Sequence, residues 1–312
     1  MAAPRPRAAR RHQAEAPGGN RGAGSAIVSV KEATPMSENV PTWVDPLMRA
    51  GYGARAGVYV VLGGLTFAAA LTGGQAQGTQ GALETLRGAP FGTILLWHIA
   101  LGLFAYAAWR LIAAAYDLER RGDDDEGLAK RAGLVVTGLV HAALGAAVAG
   151  LAGGGGSGGS GGAEDWTARL MSLPFGKWLV AAAALGILGA AVHYALKGWK
   201  RKYNRYIRVT PTTRKLDPAL RFGFIAYAVV LAIVGGFLLV AGLQSDPSEA
   251  KGIGDALAVV RAQPFGRWML GALGLGFLAF ALENAVEARY RIVPRTAPSD
   301  VRTLGDLAER AT

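Results

Sequence analysis

The sequence contains no cysteine, which excludes disulfides, thiolate metal sites and a cysteine nucleophile. Zinc-ribbon, iron–sulfur and thiol-redox chemistry go with it. Charge is also scarce, with Asp, Glu, Lys and Arg making up 18% of the 312 residues. Acids are the rarer sign, 22 against 33 basic residues, for a net charge of +11. Disorder needs low hydrophobicity, and a nucleic-acid binder needs basic residues interleaved with a readable fold. Hydrophobic residues fill 51% of this chain, so neither class fits and no nucleic-acid partner is expected. Also missing are a Walker loop, a His-Glu-x-x-His motif, a serine nucleophile elbow and a dinucleotide fingerprint between strand and helix. The pair Gly274 and Gly276 lies inside an apolar run, where a phosphate loop cannot sit. No enzyme, metal or cofactor is expected.

What the chain does have is a mean hydropathy of +0.26 beside its positive charge. Apolar spans alternating with basic loops produce that combination. A bilayer core about 30 Å thick takes around 20 apolar residues in a helix. Six windows qualify: Ala54 to Leu71, Phe91 to Ala115, Ala132 to Leu151, Phe175 to Leu196, Phe222 to Leu243 and Phe265 to Ala285. No proline interrupts them. Arg55 and Arg110 lie near window ends, where long side chains are expected to reach headgroups. Of the 33 basic residues, 27 fall on the side that carries both termini and six on the other. The excess of Lys and Arg on cytoplasmic loops then places both termini in the cytoplasm of a bacterial inner membrane. The stretch from Met1 to Pro41 lacks the apolar run of a signal peptide and reads as a disordered basic tail. Met36 opens the segment MSENVPTWVDP and is an alternative translation start.

Internal repeats organise the rest. Pro-Phe-Gly occurs three times, at Pro90-Phe91-Gly92, Pro174-Phe175-Gly176 and Pro264-Phe265-Gly266, each opening an even-numbered span. Arginine followed two residues later by glycine opens each odd span, at Arg49, Arg131 and Arg221. Fourteen residues on lie Gly63, Gly145 and Gly235, and twelve after each proline lie Gly102, Gly186 and Gly276. These six glycines are expected to pack helices, since lipid supplies no hydrophobic force between them. Gly53 and Gly57 form a small-xxx-small pair. Before each Pro-Phe-Gly, GALETLRGA, DWTARLMSL and DALAVVRAQ carry apolar residues at three-residue spacing, as short helices on the outer surface would. The glycine run 153–162 reads as a linker.

The expected fold is all-α: six transmembrane helices as three tandem hairpins, each with a short interfacial helix. The boundaries are a tail at 1–41, hairpins at 42–121, 122–205 and 206–292, and a tail at 293–312. The strings ARAGVYVVLGG, GALETLRGAPFGTILLWHIALGLFAYAAWRL and PFGRWMLGALGLGFLAFALENAVEARYR resemble a bacterial membrane family catalogued as domain of unknown function 1206. The resemblance covers roughly Pro41 to Arg291 and implies three two-helix repeats; it implies no activity.

Intramembrane ionisable residues are costly and therefore functional candidates. His98 and His141 lie at matching depths, about 12 Å and about 15 Å along their helices from opposite faces. They could ligate a haem, or each could stay neutral and bond to a carbonyl. Trp109, His193 and Glu283 share one repeat position, nineteen residues after their prolines. Around a pseudo-threefold axis they would meet at the inner mouth and could form a proton or cation path; the alternative is interfacial anchoring. Loop 197–221 carries nine basic residues with Trp199, Tyr203 and Tyr206 interleaved, a composition suited to anionic headgroups. The acidic run Asp123 to Glu126 could pair with that loop. The leading expectation is a non-enzymatic membrane protein, structural or binding lipid or an unidentified membrane-protein partner. A small-solute or ion transporter and a haem-binding redox carrier are the alternatives.

Overall fold

The computed structural model describes residues 41–154 and 163–294. The tail to residue 40, most of the glycine run and the tail from 295 fall outside these. Among the described residues there are nine α-helices: α1 (Val44–Thr72), α2 (Thr79–Gly88), α3 (Gly92–Ala115), α4 (Asp125–Ala152), α5 (Ala163–Met171), α6 (Gly176–Trp199), α7 (Pro211–Gln244), α8 (Ile253–Ala262) and α9 (Gly266–Tyr290). Six of them, α1, α3, α4, α6, α7 and α9, are long and apolar enough to cross a membrane. Helices satisfy every backbone group internally, which hydrocarbon demands. The chain is a multipass membrane protein. Its first and last described residues lie on one side, here the terminal face. The short helices α2, α5 and α8 occupy the hairpin face.

The odd-numbered crossings begin well before their apolar windows, and α4 and α7 start where the sequence supplies a cap. The Asp124 carboxylate accepts from the Gly127 amide to start α4, and Thr210 and Thr213 form a reciprocal capping box ahead of Pro211 in α7. Those caps occupy backbone donors that the first helical turn leaves unpaired. Pro218 lies within the early extension of α7, before the apolar stretch.

The three Pro-Phe-Gly corners share one geometry. Phe91, Phe175 and Phe265 all adopt a left-handed backbone, each at φ 61°. A non-glycine residue there costs about 1–2 kcal/mol. The next residue must be glycine for a separate reason. A Cβ on Gly92 would stand 1.8 Å from the Leu86 carbonyl oxygen, and Gly176 and Gly266 meet the last turns of α5 and α8 at 2.4 and 2.0 Å. The interfacial helix therefore runs directly into the crossing helix. All three phenylalanines are exposed, on the hairpin face, as interfacial aromatics are.

The crossings pack in the order α4, α3, α1, α9, α7, α6. Even helices sit against the odd helix of the next repeat (α3 on α4, α6 on α7, α9 on α1), and hairpins one and three also pack internally. Hairpin two does not: α4 and α6 form no packed interface. Only 22% and 17% of their apolar windows are buried, against 44% for α1 and 56% for α9. The bundle is a ring of six with one of its six seams open.

Glycine register makes the open seam visible. Gly102 faces Ala54 at 2.3 Å and Gly276 faces Ala226 at 2.2 Å, while Gly51 abuts Tyr106 and Gly223 abuts Phe280. Their counterparts in hairpin two, Gly186 and Gly133, have nothing within 4 Å. Gly63 meets the backbone of α9 at Leu278, Gly145 meets Phe104 and Gly235 meets Leu188. The small pair Gly53 and Gly57 makes no close approach, with Ile99 no nearer than 4.0 Å.

Candidate functional site

Two of the three repeat-marking arginines have a local task. Arg49 donates to the carbonyls of Ala288 and Arg289 at the end of α9, and Arg131 to those of Ala114 and Ala115 at the end of α3. A cation is favoured there because the last carbonyls of a helix lack partners and carry its negative end. On the hairpin face Arg261 and Arg267 likewise hold the carbonyls of Ala70, Leu71, Gly73 and Gly74, which end α1.

Between these caps the terminal half of the bundle holds a continuous charged network. Glu119 sits at its hub, accepting from Arg291 at 2.5 Å, Arg121 at 2.5 Å and Arg110 at 3.5 Å. Burial opposes ionisation of Glu119, yet the guanidiniums of Arg291, Arg110 and Arg121 outweigh it and lower its pKa to about 2 from 4.5. Arg291 also pairs with Glu287, and Lys197 lies 3.8 Å from Glu287 and 3.7 Å from Glu283. Removing one partner from such a buried set costs several kcal/mol, because the other charge is stranded.

Deeper in the bundle stands Arg55, six residues and about 9 Å beyond Arg49 along α1. Sequence alone had it reaching headgroups from the helix end. It turns inward instead and is only 5% exposed, since it lies on the face of α1 that looks at the axis. Its Nη1 donates to the Tyr106 hydroxyl at 2.6 Å, and Arg110 Nε donates to the same oxygen at 2.8 Å. The guanidinium lies 4.6 Å from the Tyr106 ring centre and about 6 Å from those of Tyr59 and Phe280, in cation–π range. Its charge also reaches Tyr194 of α6 and Tyr227 of α7, His141 of α4 and Glu283 of α9. All six crossings thus contribute a residue to its surroundings. Among the described residues no carboxylate ion-pairs with it, and its Nε finds no hydrogen-bond partner.

The sequence candidates fall out as follows. Trp109 is fully buried among Tyr52, Tyr106 and Leu118, not at a mouth. His193 is exposed beside Tyr194, while Glu283 is buried with Lys197, one turn on from His193, as its nearest cation. Among the described residues no hydrogen bond or ion pair joins the three to one another. His98 is exposed and holds the Ile94 carbonyl at 2.8 Å; His141 holds that of Thr137 at 2.8 Å and packs on Tyr106. Each imidazole is thus engaged by its own helix. The acidic run pairs locally, Asp123 with Arg131 and Glu126 with Lys130, and not with loop 197–221. In that loop Tyr203 and Asn204 turn inward, Tyr203 donating to Asp217 at 2.6 Å, and Ile207 pairs with Arg291 in an isolated antiparallel bridge.

Arg55, Glu119 and Lys197 carry the network; sequence reasoning takes Arg55 for a headgroup contact and Lys197 for one of the basic residues of loop 197–221, and passes over Glu119. A signal was present. Six residues after the marker arginines stand Arg55, Thr137 and Tyr227; twenty after the prolines stand Arg110, Tyr194 and Asn284. Both positions are polar in every copy, inside otherwise apolar windows and toward their terminal-face ends.

The family described as Domain of Unknown Function (DUF1206) matches three times, over residues 50–117, 132–201 and 222–291. The chain belongs to the DUF1206 family. Each match covers one crossing pair, so the DUF1206 unit is the hairpin with its interfacial helix. The uncharacterized protein YxxB of Bacillus subtilis (strain 168) is 28% identical over 260 residues, spanning 82% of this DUF1206 chain and 94% of its own. No solved structure matches.

Proposed function

We propose that this DUF1206 protein is a non-enzymatic protein of the bacterial inner membrane that binds anionic lipid, with both termini cytoplasmic. The observation that carries this reading is the basic surface after α6. Lys200, Arg201, Lys202, Arg205, Arg208, Arg214 and Lys215 are all exposed there, beside an exposed Trp199. Each basic residue near an anionic leaflet contributes about 1 kcal/mol of attraction, and the same excess favours the cytoplasmic side. The network beneath adds five cations, Arg55, Arg110, Arg121, Lys197 and Arg291, against three carboxylates.

The test is reconstitution in vesicles of phosphatidylglycerol or of phosphatidylcholine with matched acyl chains. The expected result is a higher unfolding midpoint in phosphatidylglycerol, reduced by neutralising Lys200, Lys202 and Arg205 together. Identical midpoints in the two lipids would remove the reading. A small-solute or ion transporter is the second reading, favoured by the polar axis around Arg55 and Glu283. Its spans are uninterrupted, unlike the broken helices that build many transporter sites, and a flux assay in the same vesicles decides it. Pull-down from solubilised membranes addresses a membrane-protein partner.

A further inference from the structure

Among the described residues no carboxylate ion-pairs with the buried guanidinium of Arg55, which lies beside the one seam of the bundle that is not packed. A charge held in a low-dielectric interior needs a compensating partner. Tyr106 supplies one neutral acceptor; Glu283 is already engaged with Lys197. The rings around Arg55 are not sealed. Tyr194 on α6 and His141 on α4 flank the opening, and both, with Tyr59 and Tyr227, are only partly buried although they surround the axis. Outward from them, the register of the closed seams points Gly133 and Gly186 into the opening, where neither has a neighbour within 4 Å. The edges are apolar, with Val136 and Val140 exposed on α4 and Leu185 and Val192 on α6. An anion on Arg55 with a hydrocarbon tail along α4 and α6 fits both parts.

We propose that Arg55 is the headgroup site for one anionic phospholipid, whose phosphate enters laterally between α4 and α6 and whose acyl chains occupy that seam. The Nε of Arg55 is buried and unpaired, so the headgroup parts the surrounding rings and its phosphate oxygens accept from that edge, a charge-assisted bond of the kind guanidinium favours. Tyrosine hydroxyls around the axis are available as further donors. The chains lie on the apolar edges, against glycine backbones. This site rests on the lipid-binding reading above but is distinct from the exposed basic loop, which would attract headgroups without selecting a single lipid.

The experiment uses the full chain, purified in mild detergent and stripped of lipid. It is titrated with phosphatidylglycerol, with phosphatidylcholine of the same chains, and with inorganic phosphate; retained lipid is counted by native mass spectrometry. The expected result is about one phosphatidylglycerol per chain, at least tenfold weaker retention of phosphatidylcholine, and no competition from millimolar phosphate. Arg55→Gln should weaken phosphatidylglycerol at least tenfold, and neutralising Lys200, Lys202 and Arg205 should leave this one lipid in place. If Arg55→Gln does not fold, Gly186→Trp gives the second arm. It fills open space, leaves Arg55 intact and should also release the lipid. Phosphatidylglycerol retained equally by the wild type and by either folded variant overturns the site while leaving general lipid binding intact. Competition by phosphate alone makes the site one for a free anion and also overturns it. No preference for anionic lipid in the wild type removes the broader reading as well.

Discussion

Arg55 and Arg110, on different helices, donate to one oxygen, the Tyr106 hydroxyl, at 2.6 and 2.8 Å. A single neutral group therefore serves two buried guanidiniums from two neighbouring helices. Tyr106→Phe takes this acceptor from both donors, leaving Arg110 with Tyr52 and Glu119, and should destabilise the protein by about 2–3 kcal/mol, the cost of losing bonds to charged groups. Thermal unfolding in detergent measures this. Tyr52→Phe, which removes a single acceptor at 3.2 Å from Arg110, should cost less than half as much.

Acid should loosen the terminal face through Glu119. Its pKa is about 2 when folded, against an ordinary 4.5. A depressed folded value means the stabilisation is complete above about pH 4.5 and is lost as pH falls toward 2. The unfolding midpoint should drop across that window. Glu119→Gln should lower the midpoint at pH 7 and flatten its acid dependence; an unchanged slope in that variant would count against Glu119 as the acid-sensitive group.

Glycines at one repeat position should differ sharply in tolerance. Gly102→Ala sets a methyl 2.3 Å from the Ala54 side chain and should lower the midpoint through overpacking, by about 1–3 kcal/mol. Gly186→Ala meets nothing and should be neutral or raise stability by up to about 1 kcal/mol, from better helix propensity. Equal damage at both positions would mean that the seam between α4 and α6 closes in the membrane.

A chain without cysteine lets one introduced thiol report its own side. Thr212→Cys, exposed on the terminal face, should react with an impermeant maleimide only after cells are opened. Ala262→Cys, exposed on the hairpin face, should react in intact cells. The reverse pattern would invert the orientation.

Much of the architecture could be read from the residues because lipid narrows the choices. Six apolar windows became six crossings, and Pro-Phe-Gly became three identical corners. The interfacial segments became α2, α5 and α8. What could not be read was which seam stays open. Gly133 and Gly186 match their counterparts as letters, and only their neighbours reveal that they face nothing. The reading of Trp109, His193 and Glu283 presumed a closed ring, which the open seam does not provide. The inward turn of Arg55 was missed because distance from a window's end says nothing about which way a helix face turns.

The open seam also bears on how the protein is assembled. The first and third hairpins each bring a partner surface for their own two helices, so each can settle once both of its crossings are in the bilayer. The middle hairpin has no such internal partner. Its α4 rests on α3, which is already inserted when α4 emerges, while α6 must wait for α7. For the interval between the synthesis of those two helices, α6 is a lone crossing held by its anchors at the two membrane surfaces. Truncation after residue 205 should therefore leave α6 the first segment open to membrane proteolysis.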